Sequence, residues 1–175
     1  KAANIVTKKK TTPLVATATT YIPITTTDPI YGNPGAPVTV IEFSDFACKK
    51  CSQTHDAIIK FVTQNPQKIR VIWKGMPVAK IFSQANTLPH QAAYCANSQN
   101  KFWQFTNIAM RNSRNLSEND LKKIVEGLNI DTAKWLTCFK VNDTKQAIAS
   151  STVISAALGI KSAPTVFVDN HWINL

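Results

Sequence analysis

Two cysteines, Cys48 and Cys51, lie three positions apart in the segment DFACKKCSQTH. Downstream of them, Ile58 and Val62 recur at helical spacing, which predicts a helix over about 49–62 that opens at this pair. One helical turn brings the two sulfurs close enough for a disulfide, and the free N–H groups at a helix N-terminus favour a thiolate there. The arrangement predicts thiol–disulfide exchange, in which Cys48 attacks and the less exposed Cys51 resolves the mixed disulfide.

Lys49 and Lys50, between the two cysteines, are candidates for tuning this chemistry. A cation about 4 Å from a thiolate contributes roughly 1 kcal/mol in water and roughly 4 kcal/mol at an effective dielectric constant of 20. Since one pKa unit corresponds to about 1.4 kcal/mol, either lysine could lower the pKa of the Cys48 thiol. The alternative is that both side chains are solvated on an exposed turn. The two lysines therefore leave the direction of the redox reaction open.

The other two cysteines, Cys95 and Cys138, stand alone within helical patterns. A zinc ribbon needs two close cysteine pairs, and this chain has one, so disulfide chemistry in an oxidising compartment is favoured over a metal site. His90 and His171 are too far apart in the pattern to indicate a metal site. We therefore predict no bound metal.

The length of 175 residues, with 44% hydrophobic and 17% charged residues, predicts one globular domain with an apolar core. The net charge of +10 is scattered apart from the basic run at 8–10, which favours a role in solubility over nucleic-acid binding. No apolar run approaches the roughly 18 residues needed to cross a bilayer. The start at Lys1 leads into a Thr- and Lys-rich segment, as expected of a mature or trimmed chain.

The order of the predicted elements indicates an α/β fold with a central sheet covered on both faces. Residues 1–27 hold nine threonines and predict an extended linker or an oligomerising arm, and a Pro- and Gly-rich turn cluster follows at 28–37. Strands are predicted at 38–43, 69–73, 165–168 and 171–173. A block of helical sequence is predicted between about 83 and 113. A further helix is predicted to begin at a cap formed by Ser117 and Asp120 and to end at Gly127, and two more helices are predicted at 131–139 and 144–158.

Four segments in this order resemble the DsbA-like branch of the thioredoxin superfamily: APVTVIEFSDFACKKC, KFWQF, NLSENDLKKIVEGLNID and GIKSAPTVFVDN. The resemblance covers about 28–175. It implies a thioredoxin fold with a first part at 28–83, an all-helical insertion at 84–142 and a second part at 143–175. It also implies a periplasmic or otherwise exported enzyme with no cofactor beyond its redox-active disulfide. Two features depart from the family pattern: Lys49-Lys50 between the cysteines, and an end at Leu175 where relatives usually continue into a further helix.

The resemblance also assigns roles to residues outside the cysteine pair. Pro164 matches a cis-proline that faces the cysteines, and the backbone of Ala163 would pair with a bound peptide, although relatives often carry Thr or Val there. Glu42 matches an acidic residue beneath the active site that could relay the proton of Cys51; the alternative is a carboxylate that reaches solvent. Cys95 and Cys138 are expected to form a structural disulfide, with free buried thiols or a regulatory pair as alternatives.

The function expected from these features is donation of the Cys48–Cys51 disulfide to exported, cysteine-containing proteins, with reoxidation by a membrane or soluble redox partner. One alternative is a disulfide isomerase or reductase that is kept reduced and oligomeric through residues 1–27. Another is a non-catalytic chaperone or a soft-metal module. We expect no nucleic-acid partner, and we expect His55, on the predicted active-site helix, to be a surface residue.

Overall fold

A five-stranded mixed sheet organises the part of the chain that the computed structural model describes, residues 21–79, 84–112, 116–141 and 144–175. Its strands are β1 (Ile30–Gly32), β2 (Val38–Ser44), β3 (Ile69–Gly75), β4 (Thr165–Val168) and β5 (His171–Ile173). They lie in the order β1-β3-β2-β4-β5. Only β2 and β3 are parallel, and the other neighbours are antiparallel. β2 is therefore the central strand, and its carboxyl end leads into the cysteine pair.

The helices of the described residues are α1 (Lys49–Gln64), α2 (Leu88–Asn97), α3 (Phe102–Arg111), α4 (Glu118–Glu126), α5 (Thr132–Val141) and α6 (Lys145–Ala157). Four of them, α2 to α5, come between β3 and α6, which confirms the predicted α/β fold with an inserted helical region. The predicted cap of α4 is also confirmed, because the Ser117 side chain accepts the Asp120 N–H and the helix ends at Gly127. None of the helices in this part of the chain is long and apolar enough to cross a bilayer.

β2 is buried on both faces, which explains its nearly continuous apolar sequence. Val40 belongs to the larger apolar cluster, which includes Val62 of α1 and most of the buried residues of the insertion. Ile41 and Phe43 point to the opposite face and belong to a second cluster with Phe167 of β4. The strand therefore places Glu42, which alternates with Ile41 and Phe43, on the side of the sheet that α1 covers.

The N-terminal end of the fold differs from the sequence-based expectation. β1 lies within the predicted turn cluster, and it forms because Ile30–Gly32 pairs with β3. Residues 21–27, which we assigned to the arm, pack against the body of the protein: Ile22 is buried, and Lys74 Nζ donates to the Pro23 carbonyl at 2.9 Å. Residues 1–20, which carry the rest of the predicted arm, lie outside the described residues, as do the predicted domain ends at 83 and 142.

Candidate active site

Cys48 is the N-cap of α1. Its own backbone is extended, and the helical backbone begins at the next residue, Lys49. Its Sγ accepts the backbone N–H of Cys51 at 3.1 Å and is bonded to Cys51 Sγ in a disulfide. Cys48 is half-buried, whereas Cys51 is fully buried on the inward face of α1. An incoming thiolate can therefore reach the Cys48 sulfur and not the Cys51 sulfur.

The loop between β2 and α1 is fixed by Asp45. Its carboxylate accepts the backbone N–H groups of Ala47 at 3.2 Å and Val78 at 3.0 Å, and it lies 3.3 Å from His90 Nε2. Burial acts to raise the pKa of Asp45, but the hydrogen bond and charge of His90 and the two backbone donors outweigh it and lower that pKa. These bonds hold the loop that delivers Cys48 to the start of α1.

Glu42 lies beneath α1 and forms a buried pair with His55. Glu42 Oε2 is 2.9 Å from His55 Nδ1, and His55 Nε2 is 2.9 Å from Asn107 Oδ1. Burial acts to lower the pKa of His55, but the charge and hydrogen bond of Glu42, together with Asn107, raise it. The expectation that His55 is a surface residue is wrong, because it is fully buried in this pair. Of the two alternatives for Glu42, the buried one is observed.

Ala163 and Pro164 form the loop that precedes β4, and the peptide bond between them is cis. Thr165 pairs with Phe43 of β2, which brings this loop beside the cysteine pair. The carbonyl oxygen of Ala163 lies 3.6 Å from Cys48 Sγ, and both loop residues are half-buried. Cys48 and this loop therefore share one accessible surface, whereas Cys51 lies behind it. A role for the loop in binding substrate remains a prediction.

Two further predicted residues, Lys49 and Lys50, lie beside this centre, and the second cysteine pair lies away from it. Lys49 and Lys50 are exposed on the first turn of α1, and Lys50 Nζ donates to the Leu175 carbonyl at 3.4 Å. Cys95 of α2 and Cys138 of α5 form a second disulfide within the helical region, apart from the Cys48–Cys51 pair. The tuning role of the lysines remains a prediction.

Sequence reasoning overlooked His55, although its spacing carried a signal. Cys51, His55, Ile58 and Val62 follow the i, i+4, i+7, i+11 pattern of one helix face, and Cys51 and Val62 are buried. A histidine on that stripe points into the protein. Asn107 is 52 positions from His55, and no local pattern connects the two.

Comparison with known proteins assigns the chain to a family and finds solved structures with the same fold. Residues 24–175 match the family model described as thioredoxin. The chain belongs to the thioredoxin family. This thioredoxin-family chain shares its fold with a thioredoxin-like oxidoreductase from Silicibacter pomeroyi, with a TM-score of 0.72, 23% identity and coverage of 85% of this chain and 84% of the other. The thiol–disulfide exchange protein alpha-DsbA2 from Wolbachia pipientis matches with a TM-score of 0.72, 22% identity and coverage of 85% and 79%. The fold is thus the DsbA-like form of thioredoxin.

Curated relatives extend the comparison to larger proteins. The Na(+)/H(+) antiporter NhaA 3 of Salinispora tropica is 25% identical over 144 residues, which are 82% of this chain and 22% of that protein. NhaA 1 of Salinispora arenicola is 27% identical over 146 residues, with coverage of 82% and 22%. This thioredoxin-family chain therefore spans about a fifth of the length of these relatives. The family match and the Cys48–Cys51 disulfide give this chain the fold and the cysteine pair that thiol–disulfide exchange requires.

Proposed function

We propose that the protein is an oxidase that donates its Cys48–Cys51 disulfide to cysteine-containing proteins. The observation that carries this proposal is the N-cap position of Cys48, whose sulfur accepts the Cys51 N–H at 3.1 Å. A backbone donor and the helix N-terminus stabilise a thiolate at this sulfur after reduction. Stabilising the thiolate stabilises the reduced protein, and this makes the disulfide a stronger oxidant.

The reaction proceeds through a mixed disulfide. A substrate thiolate attacks Cys48 Sγ, the bond to Cys51 breaks, and the Cys51 sulfur leaves with the electron pair and takes up a proton. A second substrate thiolate then attacks the substrate sulfur of the mixed disulfide and displaces the Cys48 thiolate. Two electrons pass from the substrate to the protein, so a membrane or soluble disulfide partner must reoxidise the two cysteines. The reaction needs no cofactor beyond this disulfide.

The loop before β4 is the proposed substrate-binding element. The Ala163 carbonyl oxygen lies 3.6 Å from the Cys48 sulfur, so a peptide whose cysteine is attacking Cys48 passes along this loop. A free backbone carbonyl can accept an N–H from an extended peptide, as in β-strand addition. Pro164 follows directly and offers no competing N–H donor. This arrangement favours extended, unfolded segments as substrates.

We place this activity outside the cytosol. The Cys95–Cys138 disulfide joins α2 to α5 within the helical region, where Cys95 is fully buried. Disulfides of this kind persist in oxidising compartments and are rare where thiols are kept reduced. The antiporter names of the curated relatives describe those longer proteins, and we propose no ion transport for this chain.

Oxidative folding tests the proposal. The oxidised protein, mixed in equal amount with a reduced, unfolded protein that contains two cysteines, should transfer its disulfide within one turnover. Cys48→Ser should abolish the transfer. The Cys48 thiolate of Cys51→Ser, mixed instead with the disulfide-bonded form of the same substrate, should attack that disulfide, release one substrate thiolate and stay in a mixed disulfide that mass spectrometry detects, because no Cys51 is present to resolve it.

Two other results would replace the proposal. Repair of scrambled disulfides without net oxidation would favour an isomerase or reductase, and a change in oligomeric state on removing residues 1–27 would add to that case. Tight stoichiometric binding of Cu(I) or Zn²⁺ without thiol exchange would favour a soft-metal module.

A further inference from the structure

Three exposed lysines lie around the sulfur of Cys48. Lys49 and Lys50 follow Cys48 on the first turn of α1. Lys161 lies two positions before Ala163, whose carbonyl oxygen is 3.6 Å from Cys48 Sγ. Within the described part of the chain, none of the three lysines forms an ion pair with a side-chain carboxylate. Their charges are therefore available to a molecule that approaches the reactive sulfur from either side.

The acidic side chains that would neutralise this surface are buried or lie elsewhere. Glu42 and Asp45 are buried, and each already faces a histidine. Asp56 lies roughly 12 Å beyond Cys48 along α1 and is 4.0 Å from Arg111. The other described acidic residues that reach solvent belong to the helical region or to the far end of β4: Glu118, Asp120, Glu126, Asp131 and Asp169. The surface around Cys48 is therefore positive.

A groove beside the Ala163–Pro164 loop continues this surface on the side away from α1. Its volume of about 380 Å³ is within the range of about 300–1,000 Å³ that is typical of ligand-binding clefts. The lining combines apolar side chains with two hydroxyl groups and one cation, and includes Ile160, Phe167, Trp172, Ser162, Thr165 and Lys161. The side chain of Trp172 is 63% exposed, so the groove offers an aromatic surface to a partner.

We propose that the site selects extended substrate segments with acidic residues beside the reactive cysteine and an apolar side chain that enters this groove. A segment whose cysteine reaches Cys48 Sγ passes the Ala163 carbonyl, so one end lies over the first turn of α1 and the other over the groove. Its carboxylates face lysines at both ends, and its apolar side chain covers Trp172. The inference rests on the proposed donation of the Cys48–Cys51 disulfide and names the class of segment that receives it.

Coulomb's law sets the size of the expected preference. For a lysine and a carboxylate about 8 Å apart in water, the attraction changes a rate about twofold at 0.01 M salt, where the Debye length is about 30 Å. Acting together, the three lysines should favour an acidic over a neutral peptide roughly fivefold to eightfold. At 1 M salt the Debye length falls to about 3 Å, and the preference should disappear.

Single-turnover disulfide transfer measures this preference. Oxidised protein is mixed with an excess of a reduced peptide that contains two cysteines, quenched with acid at set times, and analysed by mass spectrometry for the oxidised peptide. Two peptides differ only in the residues beside the first cysteine, which are glutamates in one and glutamines in the other. The protein with Lys49→Gln, Lys50→Gln and Lys161→Gln should show a glutamate-to-glutamine rate ratio roughly fivefold to eightfold below that of the wild type. Because both proteins meet the same peptides, the intrinsic reactivity of each peptide thiol cancels.

A second triple variant separates the local charge from the net charge. Lys123→Gln, Lys134→Gln and Lys140→Gln remove the same total charge from exposed positions of α4 and α5, and they should leave the rate ratio within about twofold of the wild type. An equal fall of the ratio in both triple variants would assign the preference to net charge and overturn the inference. A ratio that the active-site triple leaves unchanged would overturn it as well.

Trp172→Ala tests the groove with a second pair of peptides, which carry leucine or serine two positions from the cysteine. The wild type should oxidise the leucine peptide roughly threefold faster, since about 30 Å² of apolar contact is enough for such an effect. Trp172→Ala should remove this advantage, whereas Val153→Ala, which shortens an exposed apolar side chain of α6, should keep it. Loss of the advantage in both variants, or in neither, would overturn the role of the groove. Absence of transfer to every peptide would instead overturn the proposed function.

Discussion

Replacement of Cys95 and Cys138 by alanine measures how much the second disulfide stabilises the helical region. The two cysteines are 43 positions apart in sequence, so the bond closes a long loop between α2 and α5. The chain-entropy relation gives about 4 kcal/mol for a loop of this length. For a domain of this size, such a loss corresponds to a fall in melting temperature of roughly 8–16 °C.

The same relation supplies an internal control. Cys48 and Cys51 are only 3 positions apart, and a loop that short contributes about 2 kcal/mol in the same treatment. Removing the active-site disulfide with Cys48→Ala and Cys51→Ala should therefore cost at most half as much. Stabilisation of the reduced site, which the oxidase proposal requires, reduces that cost further.

Urea unfolding provides the assay, followed by tryptophan fluorescence and by far-ultraviolet circular dichroism under non-reducing conditions. Trp135 of α5 is a local probe, because it is buried and donates to the Ala92 carbonyl of α2 at 3.0 Å. Both signals should report the same transition at a lower urea concentration. The reasoning fails if the Cys95→Ala, Cys138→Ala variant unfolds within about 1 kcal/mol of the wild type, a quarter of the expected loss.

Further predictions concern Gly75, His55 and the two lysines. A Cβ on Gly75 would lie 2.7 Å from His90 Nδ1, so Gly75→Ala should lower the free energy of unfolding by about 1–3 kcal/mol. Gly127→Ala, whose Cβ would have no neighbour closer than 3.5 Å, is the matched control in the same urea titration and should change little. The pKa of His55 is raised on folding, so its stabilisation is complete below its unfolded pKa of about 6.5 and is lost as pH rises through the folded value. Urea midpoints between pH 6 and 9 should therefore fall with pH in the wild type and much less in His55→Gln; equal slopes would contradict the buried ion pair. Lys49→Gln with Lys50→Gln should raise the pKa of the Cys48 thiol by at most about one unit, because both side chains are exposed and water screens their charge. Thiolate absorbance near the ultraviolet edge measures it, and an unchanged pKa would assign both lysines to solvent.

Local signals in the sequence were sufficient for much of the fold. Residues 165–168 and 171–173 were predicted as strands and coincide with β4 and β5, because each is a short apolar or aromatic run bounded by turn residues. The start of α4 was predicted from Ser117 and Asp120, because a capping box is contained within four residues.

Features that depend on distant partners could not be predicted in the same way. β1 has three residues and exists through its pairing with β3, about 40 positions later in the chain. Residues 21–27 look like the Thr-rich segment before them, yet Lys74 and Asn170 hold them against the sheet. A composition-based boundary places such a segment in the arm, since its partners lie elsewhere in the sequence.

The candidate site also combines residues that local sequence identifies with residues that depend on distant partners. The cysteine pair and its helix follow from spacing, and Glu42 was identified through the family resemblance. The spacing of its partner His55 places that residue on the buried face of the helix with Cys51 and Val62. Because histidine is polar, it was nevertheless predicted to lie at the surface. Asn107, which completes the trio from α3, becomes relevant only when the insertion is folded against α1.

The most direct test of the oxidase proposal is the equilibrium of the Cys48–Cys51 pair with glutathione, combined with a pH titration of the Cys48 thiolate. The N-cap position of Cys48 predicts a thiol pKa below about 7 and a reduction potential above about −180 mV. A thiol pKa near 8.5 together with a potential near −270 mV, typical of a reductant, would contradict the proposal that this disulfide is donated to substrates.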